Sequence, residues 1–358
     1  MVYPGQSIGI KMNIILSISF IILSAIILSK IFCVIAQGTK LMDEPNDRSM
    51  HTHPTVRGGG LVFIGLSLCS IPYIGYLSHT PLTDQLILMV SIILLATVCF
   101  IDDIYHLSAK SRFLVQCLVA LIVTLFMRPD VLDFVLFSLT NKLLIIPFLF
   151  FAVIWAINHF NFMDGLDGFC AFQAVFLLAV YVFLLRVHPA LMYQDFCLVL
   201  ICSLSGFLVF NFPPAKIFMG DIGSACLGFI TFMIAVIAQK NYHIPIVYWF
   251  ILNGLFLFDA TLTLFRRILH KEQWSAPHRK HAYQRLKQLG AGSRVILLGQ
   301  LLINLLFFIL VVLLDKSVIY LGLALIIQWL FMLIIYCLIE RSRPMFNESG
   351  RVVLNLEK

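Results

Sequence analysis

Polar side chains recur at three-residue intervals between positions 158 and 168, in the middle of an otherwise apolar sequence. The segment combines two amides and two carboxylates, Asn158, Asn161, Asp164 and Asp167. Their oxygens are ligands that a hard cation such as Mg²⁺ prefers, and polar groups this dense beside a bilayer mark a substrate or ion site. A three-residue step falls about 60° short of a full helical turn, so these side chains would diverge on a continuous helix. We therefore predict a helix end here, which the glycines at 165 and 168 would permit.

Two adjacent carboxylates, Asp102 and Asp103, follow an apolar run and precede Lys110 and Arg112. At a membrane boundary such a pair repels itself unless a cation or a basic group offsets the charge. One of the two could have a raised pKa and act as a general base, and the pair could also neutralise a metal. A solvated cap at a helix end is the structural alternative.

A third polar segment follows Pro213 and Pro214, which should end the preceding helix. Phe218 lies at its start, and Asp221 lies where the next helix should begin. A glycine-rich helix N-terminus favours phosphate, and Asp221 could hold the Mg²⁺ that a phosphate brings. An ordinary N-cap aspartate would show the same pattern.

The longest basic loop contains His278, Arg279, Lys280 and His281. Arg and Lys beside two His suit a sugar diphosphate. The His-x-x-His spacing alone is weak evidence for a metal, because no third ligand is near it in sequence. The alternative is a loop whose positive charge only sets membrane orientation.

The first polar loop, Asp43 to Gly60, places Arg57 before three consecutive glycines, which would let a ligand approach the backbone. A flexible connector is the alternative interpretation. Asp259 lies inside a later apolar run, where it is either functional or the partner of another buried polar group.

The composition is that of an integral membrane protein. The 358 residues are 61% hydrophobic and 12% charged, about half the charged fraction of a soluble domain. This leaves no room for a soluble catalytic domain of ordinary size, so any chemistry must lie on short loops and helix ends. The nine cysteines lie mostly in apolar runs without metal spacing, and the net charge of +7 suits anionic lipids or anionic substrates. We expect no nucleic-acid partner.

Eleven apolar runs approach the length of about 20 residues that crosses a bilayer. They cover residues 12–36, 61–77, 85–101, 113–127, 143–157, 169–185, 196–210, 222–238, 244–265, 295–314 and 317–339. Several runs are short, so ten or twelve spans are also compatible with the sequence. We predict an all-α polytopic membrane protein of about eleven spans (ten possible), with residues 1–358 forming a single domain.

Lys and Arg divide unevenly between alternate loops. With the N-terminus outside, roughly 18 fall on one side and 6 on the other, so the richer side, with the C-terminus, should face the cytoplasm. The five polar segments described above all fall on that side. We therefore predict one composite site on the cytoplasmic face of the membrane.

The order of these motifs resembles that of the polyprenyl-phosphate N-acetylhexosamine-1-phosphate transferases. The shared pattern is an acidic pair, then Asn-x-x-Asn-x-x-Asp-Gly-x-Asp-Gly, then Phe-Met-Gly-Asp-x-Gly-Ser, then His-x-x-His, over about Asp43 to Arg285. The resemblance implies a bacterial inner-membrane enzyme that transfers N-acetylhexosamine 1-phosphate from a UDP-sugar to undecaprenyl phosphate and releases UMP. It also implies Mg²⁺ as the cofactor, which Mn²⁺ could replace, and it allows a homodimer.

The same resemblance implies residue roles. The catalytic residues would be Asp102, Asp103, Asp164 and His281, with the acidic pair handling the lipid phosphate. Mg²⁺ would be bound by Asn161 and Asp221. The substrate-binding residues would be Arg57, Asn158, Gly165, Asp167, Phe218, His278 and Arg279, with the Phe218 ring stacking on uracil.

The segment from His278 to Tyr283 is similar to the loop of the initiators of O-antigen and lipopolysaccharide synthesis, which favours that pathway. Transfer of phospho-MurNAc-pentapeptide in peptidoglycan synthesis is the alternative within the family. A cation-coupled transporter is the alternative from another class, although its ionisable groups would lie near the midplane and in repeated halves, and no repeat is seen. An intramembrane metalloprotease is disfavoured because the chain has no His-Glu-x-x-His motif.

Overall fold

The computed structural model describes residues 4–45, 53–188, 191–273, 276 and 278–346. The chain forms two compact units, Met1–Asn253 and Gly254–Lys358. Each unit is treated by itself below, and the single-domain organisation stays a prediction.

Within the described residues, the first unit contains nine helices. They are α1 (Pro4–Ala36), α2 (Gly60–Leu77), α3 (Leu82–Tyr105), α4 (Ala109–Phe126), α5 (Lys142–Phe162), α6 (Phe169–Leu185), α7 (Leu191–Asn211), α8 (Gly220–Tyr242) and α9 (Val247–Leu252). Two short antiparallel pairs lie in the connecting loops, β1 (Met42–Asp43) with β2 (Thr55–Val56) and β3 (Leu132–Asp133) with β4 (Ser138–Leu139).

The second unit contains four helices within the same described residues. They are α10 (Gly254–Leu269), α11 (Ala282–Gln288), α12 (Ser293–Asp315) and α13 (Leu321–Ser342). Helices α10 and α11 each pack against both α12 and α13. The basic loop predicted from the sequence connects α10 to α11.

In the described part of the chain, nine helices are long and apolar enough to cross a membrane. They are α1 to α5, α7, α8, α12 and α13, and α6 is a shorter apolar helix. The predicted all-α polytopic membrane fold is confirmed. The count of eleven spans and the direction of insertion stay predictions.

The predicted run over 244–265 forms two helices, because α9 ends at Leu252, Asn253 follows as its C-cap, and α10 starts at Gly254. The Asn253 amide lies 2.6 Å from Nε2 of His159, and its oxygen accepts a hydrogen bond from Gln173 at 3.2 Å. All three side chains are buried. A buried amide needs such partners, and here they hold Asn253 at the helix end.

Helix α8 lies at the centre of the first unit. Its 18-residue apolar window is entirely buried, and it packs against α2, α3, α5 and α6. Gly228 permits the closest of these approaches, since a Cβ there would lie 2.2 Å from the carbonyl oxygen of Ala156 in α5. The small residue therefore allows two helix backbones to touch.

The two ends of α8 have different surroundings. At its C-terminal end, Gln239 accepts hydrogen bonds from the backbone N–H groups of Asp133 at 3.2 Å and Ile246 at 3.0 Å. At its N-terminal end, the α1–α2, α3–α4, α5–α6 and α7–α8 connections meet. Four of the five predicted polar segments lie in these connections.

Candidate active site

The N-terminus of α8 is capped by a carboxylate from the end of α3. Asp103 Oδ1 accepts the N–H of Asp221 at 2.9 Å, and its Oδ2 accepts the N–H of Ile222 at 3.2 Å. Arg57 Nε lies 2.8 Å from Oδ1, and the Asp103 side chain is 0% exposed. A carboxylate stabilises a helix N-terminus by satisfying its free N–H groups and by opposing its positive dipole end. Asp103 therefore stabilises the first turn of α8, which contains Asp221.

Gly220 is required by this arrangement. Its φ is +72°, a left-handed conformation that side chains other than glycine rarely adopt. A Cβ at this position would lie 2.4 Å from Asp103 Oδ2 and 2.9 Å from the Gly58 nitrogen. The glycine predicted to favour a ligand thus also makes room for the capping carboxylate.

Two arginines contact the carboxylate of Asp221. Arg57 forms a salt bridge with Oδ1, and Arg112 Nη1 lies 3.2 Å from Oδ2. Burial lowers the pKa of Arg57, but Asp221 and Asp103 outweigh it and raise the pKa above its ordinary value. Asp221 is thus a buried anion compensated by two permanent cations.

Asp102 has a different environment from its neighbour. It accepts the Leu107 N–H at 2.6 Å and a hydrogen bond from Arg112 Nη1 at 2.8 Å. The Arg112 side chain is 37% exposed, so this contact lies at the open edge of the cluster. Arg112 was missed as a site residue. Its only signal in the sequence was its place in a basic loop ten residues after Asp102.

The predicted helix end between α5 and α6 is confirmed. α5 ends at Phe162, and Gly168 precedes α6 with a φ of +75°. The Gly168 N–H donates to Asn211 Oδ1 at 3.0 Å, and Asp167 Oδ2 accepts the Ala215 N–H at 3.0 Å. These contacts join the α5–α6 turn to the α7–α8 connection.

The regularly spaced polar residues of this segment have separate environments. The Asn161 side chain contacts the Asp221 carboxylate. Burial, followed by the charge of Asp221, raises the pKa of Asp164 to about 8. Asn158 instead pairs with Gln116 of α4, donating to its Oε1 at 2.7 Å. In this structure Asn158 therefore joins two helices, and its predicted substrate contact stays a prediction.

The loop before α2 pairs with the loop before α8. Phe218 N–H donates to the Val56 carbonyl at 2.7 Å, and the Phe218 carbonyl accepts the Gly59 N–H at 2.9 Å. The Phe218 side chain is half-buried, as is Gly165 in the α5–α6 turn. Residues 46–52 of the predicted first loop lie outside the described residues.

In the second unit, Asp259 holds the start of α11. Its two oxygens lie 3.0 and 2.9 Å from the Ala282 nitrogen, and Oδ1 also accepts from Thr263 Oγ1 at 3.0 Å. His281 Nδ1 is 3.4 Å from Oδ1. Asp259 therefore has structural partners, as one of its two interpretations predicted, and it lies beside His281.

The rings of His278 and His281 lie 4.9 Å apart, centre to centre. Burial and the nearby charges of His281, Arg267 and Lys280 lower the pKa of His278 to about 3. His278 is therefore neutral at physiological pH. Arg279, between the two, accepts a hydrogen bond at its carbonyl from Gln288 at 3.1 Å.

Ten of the thirteen predicted site residues thus lie in the first unit, and His278, Arg279 and His281 lie in the second. Among the residues that the structure describes, no group of three or more His, Cys, Asp or Glu side chains is arranged to hold a metal. Around Asp221 the oxygen donors are carboxylates together with the Asn161 amide.

The region that contains this cluster matches a known family. The model of glycosyl transferase family 4 matches residues 85–239, which include Asp102, Asp103 and Asp221. The chain is also 32% identical over 341 residues to the "Probable undecaprenyl-phosphate N-acetylglucosaminyl 1-phosphate transferase" of Bacillus subtilis, covering 93% of each chain. The chain belongs to glycosyl transferase family 4.

Two further relatives are named as a different transferase. The "Phospho-N-acetylmuramoyl-pentapeptide-transferase" of Lactiplantibacillus plantarum is 35% identical over 183 residues, covering 48% of this chain and 57% of that one. The enzyme of the same name from Wolbachia sp. is 30% identical over 273 residues, covering 71% and 76%. This family 4 member is therefore a multi-pass membrane enzyme that transfers a phosphosugar, which confirms the predicted family and disfavours the transporter.

Proposed function

We propose that the enzyme transfers N-acetylhexosamine 1-phosphate from a UDP-sugar to undecaprenyl phosphate and releases UMP. The observation that carries this proposal is the buried Asp221 carboxylate at the start of α8, with Arg57, Arg112 and Asp102 around it. Asp102, Asp103 and Asp221 outnumber the two arginines, so the cluster would bind the anionic phosphates of both substrates through a divalent cation as well as through Arg57 and Arg112. The name of the Bacillus subtilis relative supports the lipid acceptor and the class of sugar.

In the proposed reaction, a phosphate oxygen of the lipid attacks the sugar-bearing phosphorus of the UDP-sugar. The bond from that phosphorus to the bridging oxygen breaks, and UMP leaves with the electron pair. The new bond joins the two phosphates of undecaprenyl-diphospho-sugar. Phosphoryl transfer needs mainly positioning and charge compensation, which is what a cluster of Asp and Arg can provide.

The two adjacent aspartates would have different roles. Asp103 accepts two backbone N–H groups and Arg57, and its side chain has no solvent access, so it is the less suited of the two to act as a base. The Asp102 side chain is 7% exposed, and its partner Arg112 is 37% exposed at the edge of the cluster. Asp102 would orient or deprotonate the lipid phosphate, and Arg112 would offset its charge. A route through a phosphorylated aspartate is the competing possibility, and a trapped sugar-phosphate adduct would reveal it.

The donors around Asp221 are oxygens of the kind that Mg²⁺ binds. Arg57 and Arg112 each contact one Asp221 oxygen, so the metal would use the remaining lone pair of such an oxygen. This ion binds oxygen ligands and commonly takes only one or two protein carboxylates, the rest being waters and substrate phosphates. Asn161 and Asp221 would hold it, and Mn²⁺ could replace it. When bound, the metal would neutralise charge that develops on the diphosphate.

The remaining site residues would bind the UDP-sugar. The half-buried ring of Phe218 would stack on uracil, and Gly165 and Asp167 would complete the uridine pocket. In the second unit, His278 and His281, with Arg279, would bind the diphosphate and sugar. Their loop supplies the cations that anionic groups require.

The pathway we propose is the start of O-antigen, lipopolysaccharide or related cell-envelope glycan synthesis, with the site facing the cytoplasm. The competing donor is UDP-MurNAc-pentapeptide, which the two pentapeptide-transferase relatives suggest. The decisive assay offers purified enzyme undecaprenyl phosphate with each of several UDP-N-acetylhexosamines or UDP-MurNAc-pentapeptide, with and without EDTA, and measures UMP. We expect metal-dependent UMP release with a UDP-N-acetylhexosamine.

The matched variants are Asp221→Asn and Asp195→Asn. Asp221→Asn should reduce UMP release by about 100-fold or more, the scale found when a group that stabilises the transition state is removed. Asp195 is exposed on α7, away from the cluster, so its variant should retain activity. Wild-type turnover by Asp221→Asn, or no UMP with any donor, would refute the proposal.

A further inference from the structure

In the second unit, the end of α13 is tied to two other helices through Glu340. This carboxylate accepts hydrogen bonds from Arg266 of α10 at 2.7 and 2.9 Å, and another from Arg285 of α11. It also accepts the N–H of Met345 at 3.1 Å, three residues beyond the end of α13. Residues 340–346 are called the C-terminal clasp below.

Phe346, the last described residue of the clasp, contacts both ends of the basic loop, residues 270–281. Its ring stacks on His270 with 3.7 Å between ring centres and 23° between planes. The ammonium group of Lys280 lies 4.5 Å from the centre of the same ring. One aromatic ring thus joins the residue that opens the loop to a residue beside His281.

The loop also has internal ties. Arg267 Nη2 donates to the carbonyls of Gln273 at 2.7 Å and Ala276 at 3.0 Å. Its Nε contacts Glu272 at 3.0 Å, and Glu272 pairs in turn with Lys280. These contacts close the loop on itself, whereas Phe346 and Glu340 attach it to α13.

We propose that Glu340 and Phe346 are positioning residues that hold His278 and His281 ready for the diphosphate of the sugar donor. The inference rests on the proposed function, which assigns this loop to the diphosphate. A loop held in its binding geometry loses less conformational entropy when the ligand arrives, so its affinity is higher. Glu340 holds the clasp against α10 and α11, and Phe346 holds Lys280, next to His281, through its ring contact.

The kinetic test compares Phe346→Ala, Phe346→Trp and the control Leu338→Ala. Leu338 lies on α13, two residues before Glu340, and is 57% exposed. Its truncation should leave both KM values and the maximal rate unchanged. Phe346→Ala should raise the KM for the UDP-sugar about tenfold and leave the KM for undecaprenyl phosphate unchanged. Phe346→Trp should restore the KM, because Trp preserves stacking and binds a cation at least as well.

If Phe346 contributed only to folding, the kinetic result would differ. Loss of folded protein lowers the maximal rate but does not move KM, and the Trp variant need not restore it. Glu340→Gln should also raise the donor KM and lower thermal stability, since Arg285 is 1% exposed and would lose its carboxylate. The Phe346 variants keep the test decisive if that protein does not fold.

Hydrogen exchange of the substrate-free enzyme separates this inference from the proposed function. Peptides covering the loop and the Ala282 amide should exchange faster in Phe346→Ala than in the wild type and the Leu338→Ala control. Wild-type exchange in Phe346→Ala, or faster exchange with an unchanged donor KM, would overturn the positioning role. Failure of the wild type to use any UDP-sugar would overturn the proposed function but leave the exchange result intact.

Discussion

Replacement of Asp103 by Asn should destabilise the protein more than the same replacement at Asp102. Both oxygens of Asp103 accept backbone N–H groups, and the side chain has no solvent access. An Asn can keep one of these bonds, but its NH₂ group must then face another donor. At Asp102 the opposing donor is Arg112, whose partly exposed guanidinium can turn towards water.

The expected size of the difference follows from these contacts. Hydrogen bonds to a charged group contribute about 1.5–3 kcal/mol each, and an unsatisfied buried donor adds a similar penalty. Asp103 accepts three such contacts, and those from the Asp221 N–H and Arg57 both reach Oδ1. An Asn whose oxygen takes that place keeps these two in weaker, uncharged form, loses the bond from the Ile222 N–H, and points its NH₂ group at that donor. We expect a loss on the order of 3 kcal/mol. The Asp102 side chain is itself only 7% exposed, but an Asn there can keep the Leu107 N–H and loses only the contact with the 37% exposed Arg112, so we expect a loss of about 1–2 kcal/mol.

The assay is thermal unfolding of the two purified variants and of Asp195→Asn in one detergent at neutral pH. We expect the Asp103 variant to melt well below the Asp102 variant, and the control to melt like the wild type. UMP release should fall in both site variants, so activity alone would not separate them. Equal melting temperatures for the two variants would refute the assignment of Asp103 as the cap of α8.

Three further predictions concern other positions. Gly220→Ala should lower both melting temperature and UMP release, because its Cβ would lie 2.4 Å from the capping carboxylate; Gly65→Ala is the control, since its Cβ would meet nothing within 4 Å. The pKa of His278 is lowered to about 3 from 6.5, so its contribution to stability is present above pH 6.5 and is lost as pH falls towards 3. His278→Gln should therefore melt with a weaker pH dependence between pH 6.5 and 4, and a wild-type slope would contradict this. Asn158→Ala and Gln116→Ala should each lower the free energy of unfolding by about 0.6 kcal/mol, and the double variant should lose less than the sum. The KM for the UDP-sugar should stay unchanged in all three. A raised KM in Asn158→Ala alone would indicate substrate contact.

Local features of the structure were predictable because their causes are local. The three-residue spacing with Gly165 and Gly168 predicted the break between α5 and α6, and that break is present. The two prolines predicted the end of α7 and the start of α8 near Asp221. Steric and hydrogen-bonding rules that act within a few residues determine both features.

The different hydrogen-bond partners of Asp102 and Asp103 could not be predicted in the same way. Adjacent residues on a helix point about 100° apart, so their partners depend on which elements lie on each side. Asp103 accepts the N–H of Asp221, which lies 118 residues later in the chain. The sequence placed Arg112 near the acidic pair, together with Lys110, but nothing in it distinguished the one that pairs with the carboxylates. The two carboxylate partners of Arg112 depend on how α4 and α8 are placed around the end of α3.

The complete burial of α8 has a consequence for how the enzyme responds to its lipid environment. A bilayer that is too thick or too thin acts on helices through the surface that they expose to lipid. In α1 only 11% of the apolar window is buried, whereas the window of α8 is buried throughout. Elastic stress from the membrane therefore falls first on peripheral helices such as α1, which can tilt. The helix that carries Asp221 is shielded from it, so the carboxylate cluster should keep its geometry in membranes of different thickness.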